Sequence, residues 1–170
     1  SHAKILNAFM CNEANILLGT QMIGKGLDFP NVMLVGILQA DLGLFYPDFR
    51  SRERTFQLLY QVAGRAGRRK ERGKVIIQAA AVNDLSIKTV VSGKILQFYN
   101  TELSDREQLN YPPFSRIATL TFIGKSSIET RHAAKAFRAW IDMQEPELTI
   151  LGPVPLIIEK IKNKFRHKIE

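Results

Sequence analysis

The first half of the chain alternates short apolar runs with a helical pattern. Apolar runs at residues 15–19, 32–38 and 74–80 have the length of buried strands. Residues 51–62 place apolar side chains at helical spacing behind Ser51, a residue type that caps helix starts, and residues 4–11 predict the end of another helix. Short strands that alternate with helices predict an α/β layer with a parallel sheet.

The pattern changes after about residue 83. Residues 85–107 predict a long, mainly helical stretch, which Tyr111-Pro112-Pro113 ends. The later predicted elements are a strand at 117–123, an amphipathic helix at 126–143 and the start of a strand at 148–151. We therefore expect two domains, at 1–84 and 85–170. The second is a small α+β domain that we expect to be truncated at its end.

The net charge of +8 is concentrated in two short stretches. Residues 50–74 contain nine Lys/Arg and two acidic residues, and residues 159–170 contain five basic and two acidic residues. Clustered positive charge is what a phosphate-binding surface requires, although a solvated basic surface is an equally open reading of charge alone. No apolar run approaches the roughly 18 residues that cross a membrane, so no membrane partner is expected.

The chain has one cysteine, Cys11, and three scattered histidines. One cysteine forms no internal disulfide and no zinc site, which needs about four ligands. We therefore expect an inert thiol, no metal site in this chain and a cytoplasmic protein. The first residues lack the apolar core of a signal peptide.

The segment from Gly19 to Lys25 imitates a phosphate-binding P-loop. It fits the first seven positions of Gly-x-x-x-x-Gly-Lys-Ser/Thr and follows a predicted strand. However, Gly26 stands where a hydroxyl should bind magnesium, and Pro30 prevents the helix that should follow. We therefore do not interpret it as a P-loop.

The strongest chemical signal is the segment Gln61-Val-Ala-Gly-Arg65-Ala-Gly-Arg68. Arginines three residues apart lie on the same face of a helical turn, and each guanidinium suits phosphate oxygens. This is the geometry of arginine fingers, which stabilise charge on a transferring phosphoryl group. Taken alone, the segment is equally compatible with a basic helix end that interacts with the helix dipole.

Two segments together resemble superfamily 2 helicases. Gln61–Arg68 is similar to their motif VI, and Thr20–Pro30 is similar to their motif V. The segment Pro47-Asp-Phe-Arg-Ser-Arg-Glu-Arg54 narrows the resemblance to the family of primosomal replication-restart helicases, PriA. The stretches that begin at Phe98, Tyr111 and Leu151 resemble the C-terminal domain of that family. The resemblance covers nearly the whole chain.

The resemblance implies a partial second RecA-like helicase lobe followed by a small C-terminal α+β domain. It implies that Arg65 and Arg68 reach the γ-phosphate of ATP and that Gln61 senses it. By the same resemblance Gly26 and Asp28 lie at the nucleotide, and Thr20 and Lys25 touch the DNA backbone. A plain cap for Thr20 and a turn-forming carboxylate for Asp28 remain alternatives.

The chain lacks the first-lobe motifs that would hold ATP and magnesium, and the paired-cysteine zinc module of the family. We therefore expect the isolated chain to hydrolyse no ATP, although its parent is expected to be an ATP-dependent helicase. The resemblance implies 3′-to-5′ unwinding in replication restart at stalled forks. It implies forked or single-stranded DNA and primosome or replication proteins as partners, with single-stranded DNA-binding protein a further possibility.

A separate hypothesis concerns the basic run of residues 160–168, where Phe165 lies among alternating cations. Lys162, Lys164 and Arg166 are candidate DNA-binding residues, against the alternative of an edge strand protected by lysines. The resemblance to the family implies that residues 159–170 begin its final strand. Two rival functions stay open: a related branch-migrating motor of the RecG or Mfd type, and a non-enzymatic DNA-binding module.

Overall fold

A computed structural model describes residues 2–20, 29, 32–64, 66 and 73–170. Contacts within the chain divide it into two compact units, Ser1–Asp105 and Arg106–Glu170. This division falls inside a helix and later than the predicted domain boundary after residue 84. The helices that follow residue 84 therefore group largely with the first unit.

The first unit contains a small parallel sheet. Its two strands, β1 (Leu34–Ile37) and β2 (Lys74–Ile77), pair in parallel from Leu34 opposite Lys74 to Ile37 opposite Ile77. The other elements are α1 (His2–Met10), a 3-10 turn (Leu42–Phe45), α2 (Ser51–Ala63), α3 (Leu85–Ser92) and α4 (Ile95–Gln108). Because α2 lies between the two strands in sequence, the predicted strand–helix–strand unit with a parallel sheet is confirmed.

Two details of the first unit differ from the prediction. Residues 15–19 form no strand, and Ile16 and Leu18 are 77% and 84% exposed. A strand requires a hydrogen-bonded neighbour, and no described strand pairs with this run, so its apolar composition was misleading. Ser51 is the first residue of α2 rather than its cap. Its Oγ donates to the carbonyl of Tyr46 at 2.6 Å and so closes the preceding loop.

The core of the first unit joins α2 to α4 through aromatic side chains. Phe56, Leu59 and Phe98 are fully buried, and the rings of Phe56 and Phe98 stack with centroids 3.9 Å apart. Tyr99 packs edge-on against Phe56. Large aromatic rings dominate the burial of apolar surface in a small core, so these contacts fix the position of α2.

The predicted helical stretch at 85–107 is two helices rather than one. Asp84 accepts from the backbone N–H of Ser86 and caps the start of α3, and Gly93 ends α3 with φ of 70°. Glycine adopts this left-handed conformation without steric cost, which explains the break before α4. As predicted, the helical region ends before Tyr111.

The second unit is a three-stranded antiparallel sheet with one helix. Its elements are β3 (Leu120–Gly124), α5 (Ser127–Gln144), β4 (Val154–Ile161) and β5 (Lys164–Ile169), and the strand order is β3-β5-β4. Ser126 accepts from the N–H of Glu129 and caps α5, as expected for a helix that starts at this point. The predicted α+β character of this part of the chain is confirmed.

The family resemblance implied that residues 159–170 begin one last strand, but the structure differs. They form the end of β4, a tight turn and β5, so the strands make an antiparallel hairpin. Lys162 and Asn163 take φ of 48° and 59° at the turn, and a lysine there carries no recognisable turn signal. Among the described residues, no helix has the length and apolarity needed to cross a membrane.

Candidate functional site

The carboxyl ends of β1 and β2 are held together by two side chains. The backbone N–H of Gln39 donates to Oε1 of Gln78 at 2.7 Å. One carboxylate oxygen of Asp41 accepts from the backbone N–H groups of Ala80 and Ala81, at 2.8 and 2.7 Å. Ligands of open α/β sheets bind outside the carboxyl ends of the strands. These bonds therefore shape the edge of the sheet where a ligand is expected.

Asp41 is buried, and its carboxylate accepts hydrogen bonds from the backbone donors around it. The hydrogen bond from the N–H of Ala81 lowers the pKa of this carboxyl below its ordinary value; burial acts in the opposite direction, and Ala80 assists the lowering. Hydrogen bonds to the ionised form favour that form. Asp41 therefore stays ionised and acts as a structural clamp between the loops that follow β1 and β2.

Asp48 orders residues 47–54, the segment whose sequence narrowed the family resemblance. Its carboxylate accepts from the backbone N–H of Arg50 at 2.9 Å and pairs with the guanidinium of Arg54 at 2.9 Å. Burial by itself raises the pKa of Asp48, but the bonds from Arg50 and the charge of Arg54 outweigh it, and the pKa is lowered. This carboxylate therefore orders the entry into α2.

Arg52 links α2 to the helices that follow β2. Its guanidinium lies 2.8 Å from a carboxylate oxygen of Asp105, 3.5 Å from Glu102 and 3.7 Å from Asp84. Burial tends to lower its pKa, but the bond to Asp105 and the nearby charges of Asp84 and Glu102 raise it. No local pattern predicted a role for Arg52, because its partners are distant in the chain.

The predicted nucleotide-site residues are only partly described. Gln61 lies in the last turn of α2 with an exposed side chain, and α2 ends where the N–H of Gly64 bonds the carbonyl of Tyr60 at 3.1 Å. Thr20 is exposed and lies outside any helix or strand. The remaining candidates, Gly26, Asp28, Lys25, Arg65 and Arg68, lie outside the residues that the structure describes.

The three candidate DNA-binding residues of the second unit lie on one hairpin. Lys162 is exposed at the turn between β4 and β5, and Lys164 is exposed at the start of β5. Lys160 Nζ lies 5.0 Å from the centre of the Phe165 ring, a cation–π geometry. The tip therefore presents several cations beside an aromatic ring.

Arg166 has a different environment from its lysine neighbours. Its Nε and one terminal nitrogen donate to the carbonyl of Ile158, at 3.2 and 2.7 Å. Ile158 lies in an irregular part of β4, between the pairs Pro155 with His167 and Lys160 with Phe165. Arg166 thus stabilises a β-bulge, which the alternating sequence pattern did not reveal.

A cleft of about 430 Å³, which the sequence did not predict, lies between α5 and the two strands of the hairpin. Its polar lining residues are Ser127, Arg131, Glu159 and His167. No motif marks them, since they come from three separate elements. Within the described residues, no group of three or more His, Cys, Asp or Glu side chains is placed to hold a metal ion.

Comparison with known proteins places both units in one family. Residues 1–70 match the domain described as "Helicase conserved C-terminal domain", and residues 107–169 match "Primosomal protein N C-terminal domain". The replication restart protein PriA of Bacillus subtilis is 43% identical over 99% of this chain. The chain belongs to the PriA family. PriA of Treponema pallidum is 40% identical over 98% of the chain, and PriA of Synechocystis is 39% identical over 99%.

The chain spans only part of these PriA relatives. It corresponds to 21% of the length of the Bacillus subtilis protein, 25% of the Treponema pallidum protein and 20% of the Synechocystis protein. The resemblance to PriA over nearly the whole chain is confirmed at the level of the family. The roles of individual PriA residues stay predictions.

Proposed function

We propose that the chain is part of an ATP-dependent 3′–5′ DNA helicase that acts in replication restart and primosome assembly at stalled forks. The observation that carries this proposal is the similarity to replication restart proteins over 99% of the chain. Residues 1–84 form the second RecA-like lobe of the motor, and residues 85–170 form the C-terminal domain. The parallel β1–α2–β2 unit supports the lobe assignment.

The lobe supplies phosphate-sensing groups to a nucleotide that another lobe holds. Arg65 and Arg68 act as arginine fingers, Gln61 senses the γ-phosphate, and Gly26 and Asp28 lie at the nucleotide. The support in the structure is the exposed amide of Gln61 at the end of a helix fixed by its buried face. ATP carries the phosphoryl group that is transferred, and the two arginines stabilise the negative charge on that group.

The described part of the chain offers no group of three or more His, Cys, Asp or Glu side chains that is placed to hold a metal ion. Magnesium at nucleotide sites is commonly bound by one or two carboxylates and by phosphate oxygens, whereas a structural zinc takes about four ligands. We propose that the first lobe of the parent holds most of the ligands of ATP and magnesium, and that the paired-cysteine module holds zinc. Both belong to other parts of the parent in this proposal.

The DNA contacts are to the backbone. Thr20 and Lys25 contact the strand from the motor lobe, and Lys162, Lys164 and the hairpin tip contact it from the C-terminal domain. Hydroxyl and ammonium groups bind phosphates without reading bases. Primosome and replication proteins, with single-stranded DNA-binding protein among them, are the proposed protein partners, and the proposed compartment is the cytoplasm.

The test is DNA-stimulated ATP hydrolysis by the longer protein that contains this chain. Loss of an arginine finger costs about 10³–10⁵-fold in rate, so Arg65→Ala and Arg68→Ala should each cause a loss of that order. Arg69→Ala removes a neighbouring positive charge outside the motif and serves as the matched control. It should retain nearly full activity.

The same experiment separates the rival functions. If Arg65→Ala and Arg68→Ala hydrolyse ATP as fast as Arg69→Ala, the segment is a basic surface and the arginine-finger assignment is wrong. A non-enzymatic binding module would show no hydrolysis in any variant. A branch-migrating motor of the RecG or Mfd type would keep the hydrolysis pattern but prefer four-way junctions over forks. The long PriA similarity favours forks.

A further inference from the structure

The cleft beside α5 is built from side chains of opposite character. Ser127 and Arg131 project from the first turns of α5, Glu159 comes from β4 and His167 comes from β5. Pro153 and Pro155 supply apolar walls. Its volume of about 430 Å³ lies in the range of small-ligand sites, roughly 300–1,000 Å³. The cleft is thus large enough for a small organic group.

The β-bulge in β4 forms one wall of the cleft. Between Pro155 and Lys160 the pairing with β5 shifts, and Arg166 holds the displaced backbone through the carbonyl of Ile158. The bulge brings Glu159 to α5, where its carboxylate accepts from the hydroxyl of Ser127 at 2.9 Å. Bulges commonly occur beside functional sites, because they redirect side chains.

His167 is a buried polar residue in the wall of the cleft. It lines the cleft, its side chain is only 3% exposed, and its Nδ1 has no hydrogen-bond partner within the described structure. Buried polar atoms are nearly always hydrogen-bonded, because an unpaired one costs free energy. This atom lies in the wall of the cleft, where the described side chains leave one polar atom unsatisfied.

The lining groups define the ligand. The guanidinium of Arg131, which has no ion pair among the described residues, and the start of the 18-residue helix α5 favour an anionic group such as a phosphate. A free phosphate would be repelled by the carboxylate of Glu159, so the ligand must also carry a donor. The proline walls favour a flat apolar ring. A nucleotide whose base has an exocyclic amine combines these three properties.

We propose that this cleft binds one unpaired nucleotide of a DNA strand, with a cytosine-type amine donating to Glu159 and the adjoining phosphate on Arg131. Carboxylates accept from the cytosine amine in known base recognition. The same strand β4 continues from the cleft to Lys160 at the basic tip. The proposal rests on the proposed DNA binding by the C-terminal domain and adds a base preference to it.

The test is the affinity of the chain for fluorescently labelled oligo-dC and oligo-dT of about 12 nucleotides, measured by anisotropy at equal salt. A good base contact corresponds to roughly a fivefold or greater discrimination. We expect oligo-dC to bind at least fivefold more tightly. Glu159→Ala should remove the preference, and Arg131→Gln should weaken both oligonucleotides. Both side chains are on the surface, so circular dichroism should show an intact fold.

The hairpin variant Lys162→Gln/Lys164→Gln is the comparison that separates the two proposals. It should weaken both oligonucleotides equally and leave the preference for dC. If the wild-type chain binds dC and dT equally, or if the preference survives Glu159→Ala, the cleft is not a nucleotide site. The hairpin contact is judged separately, by whether Lys162→Gln/Lys164→Gln weakens the binding of both oligonucleotides. If the wild-type chain binds neither oligonucleotide, DNA binding by this domain is wrong as well.

Discussion

The ring of Phe56 on α2 stacks on the ring of Phe98 on α4, with centroids 3.9 Å apart and planes 5° from parallel. The two residues are far apart in sequence, and both are fully buried. Phe56 therefore ties the helix that ends near Gln61 to a helix that follows the parallel sheet. The position of the candidate phosphate-sensing residue depends on this contact.

Phe98→Ala should destabilise the first unit strongly. Truncation of a buried phenylalanine removes apolar burial and leaves a cavity, which typically costs about 3–5 kcal/mol. The measurement is urea unfolding of the chain, followed by circular dichroism. Leu96→Ala removes an exposed side chain from the same helix and should change stability by no more than about 0.5 kcal/mol. Equal effects of the two substitutions would contradict a core role for the stack.

Arg52→Leu should lower the free energy of unfolding, although the side chain of Arg52 is partly exposed. Arg52 faces three carboxylates, and its removal leaves the buried Glu102 with less compensating charge. Partly exposed ion pairs contribute little individually, so we expect a loss of about 1 kcal/mol that shrinks at high salt. Arg52→Lys should recover only part of it, because lysine lacks the planar fork.

Lys88→Ala is the matched control for Arg52→Leu. Lys88 is exposed on α3, so its removal takes away one positive charge without disturbing the network around Arg52. Its unfolding free energy in urea should equal that of the wild type at any salt concentration. If Arg52→Leu behaves in the same way, the ion-pair network contributes nothing measurable.

The free energy of unfolding should decrease in acid, partly because the carboxylate of Asp41 becomes protonated. The pKa of this carboxyl is lowered from an ordinary value of 3.8 in the folded state. The stabilisation is therefore fully present above the ordinary value and is lost as pH falls through the lowered folded-state pKa. Asp41→Asn should show a smaller drop in the urea midpoint between about pH 5 and pH 3. Glu13→Gln, an exposed carboxyl, should retain the wild-type drop.

Local patterns predicted the helices and most strands, since caps and periodicity act within a few residues. Ser126 marked the start of α5, and the run that contains Val35 marked β1. Pairing between strands is set by distant residues, so the same reasoning wrongly placed a strand at 15–19 and missed the hairpin turn at Lys162. Gly93 separated α3 from α4 although the helical periodicity continued around it.

For the candidate site too, local sequence patterns predict only what neighbouring residues determine. Gln61 and the arginines after it belong to one short motif, so the sequence alone proposes them as candidates, and their roles stay predictions. Arg52 and Asp41 act through partners that lie on other elements of the fold, and His167 lines a cleft together with residues of other elements. Their roles depend on tertiary contacts, which no local spacing records. The β-bulge at which Arg166 bonds to the carbonyl of Ile158 also depends on tertiary contacts.

The hairpin tip should control the salt dependence of DNA binding. Lys162 and Lys164 are exposed at the turn, so each is free to neutralise a phosphate and release a counterion. For single-stranded DNA, Lys162→Gln/Lys164→Gln should reduce the slope of log affinity against log salt by about 0.7 per lost contact. Lys135→Gln, an exposed cation on α5, should leave the slope unchanged. If the slope is unaltered in the double variant, these lysines do not contact DNA. They then protect an exposed strand edge from pairing with the strands of other chains.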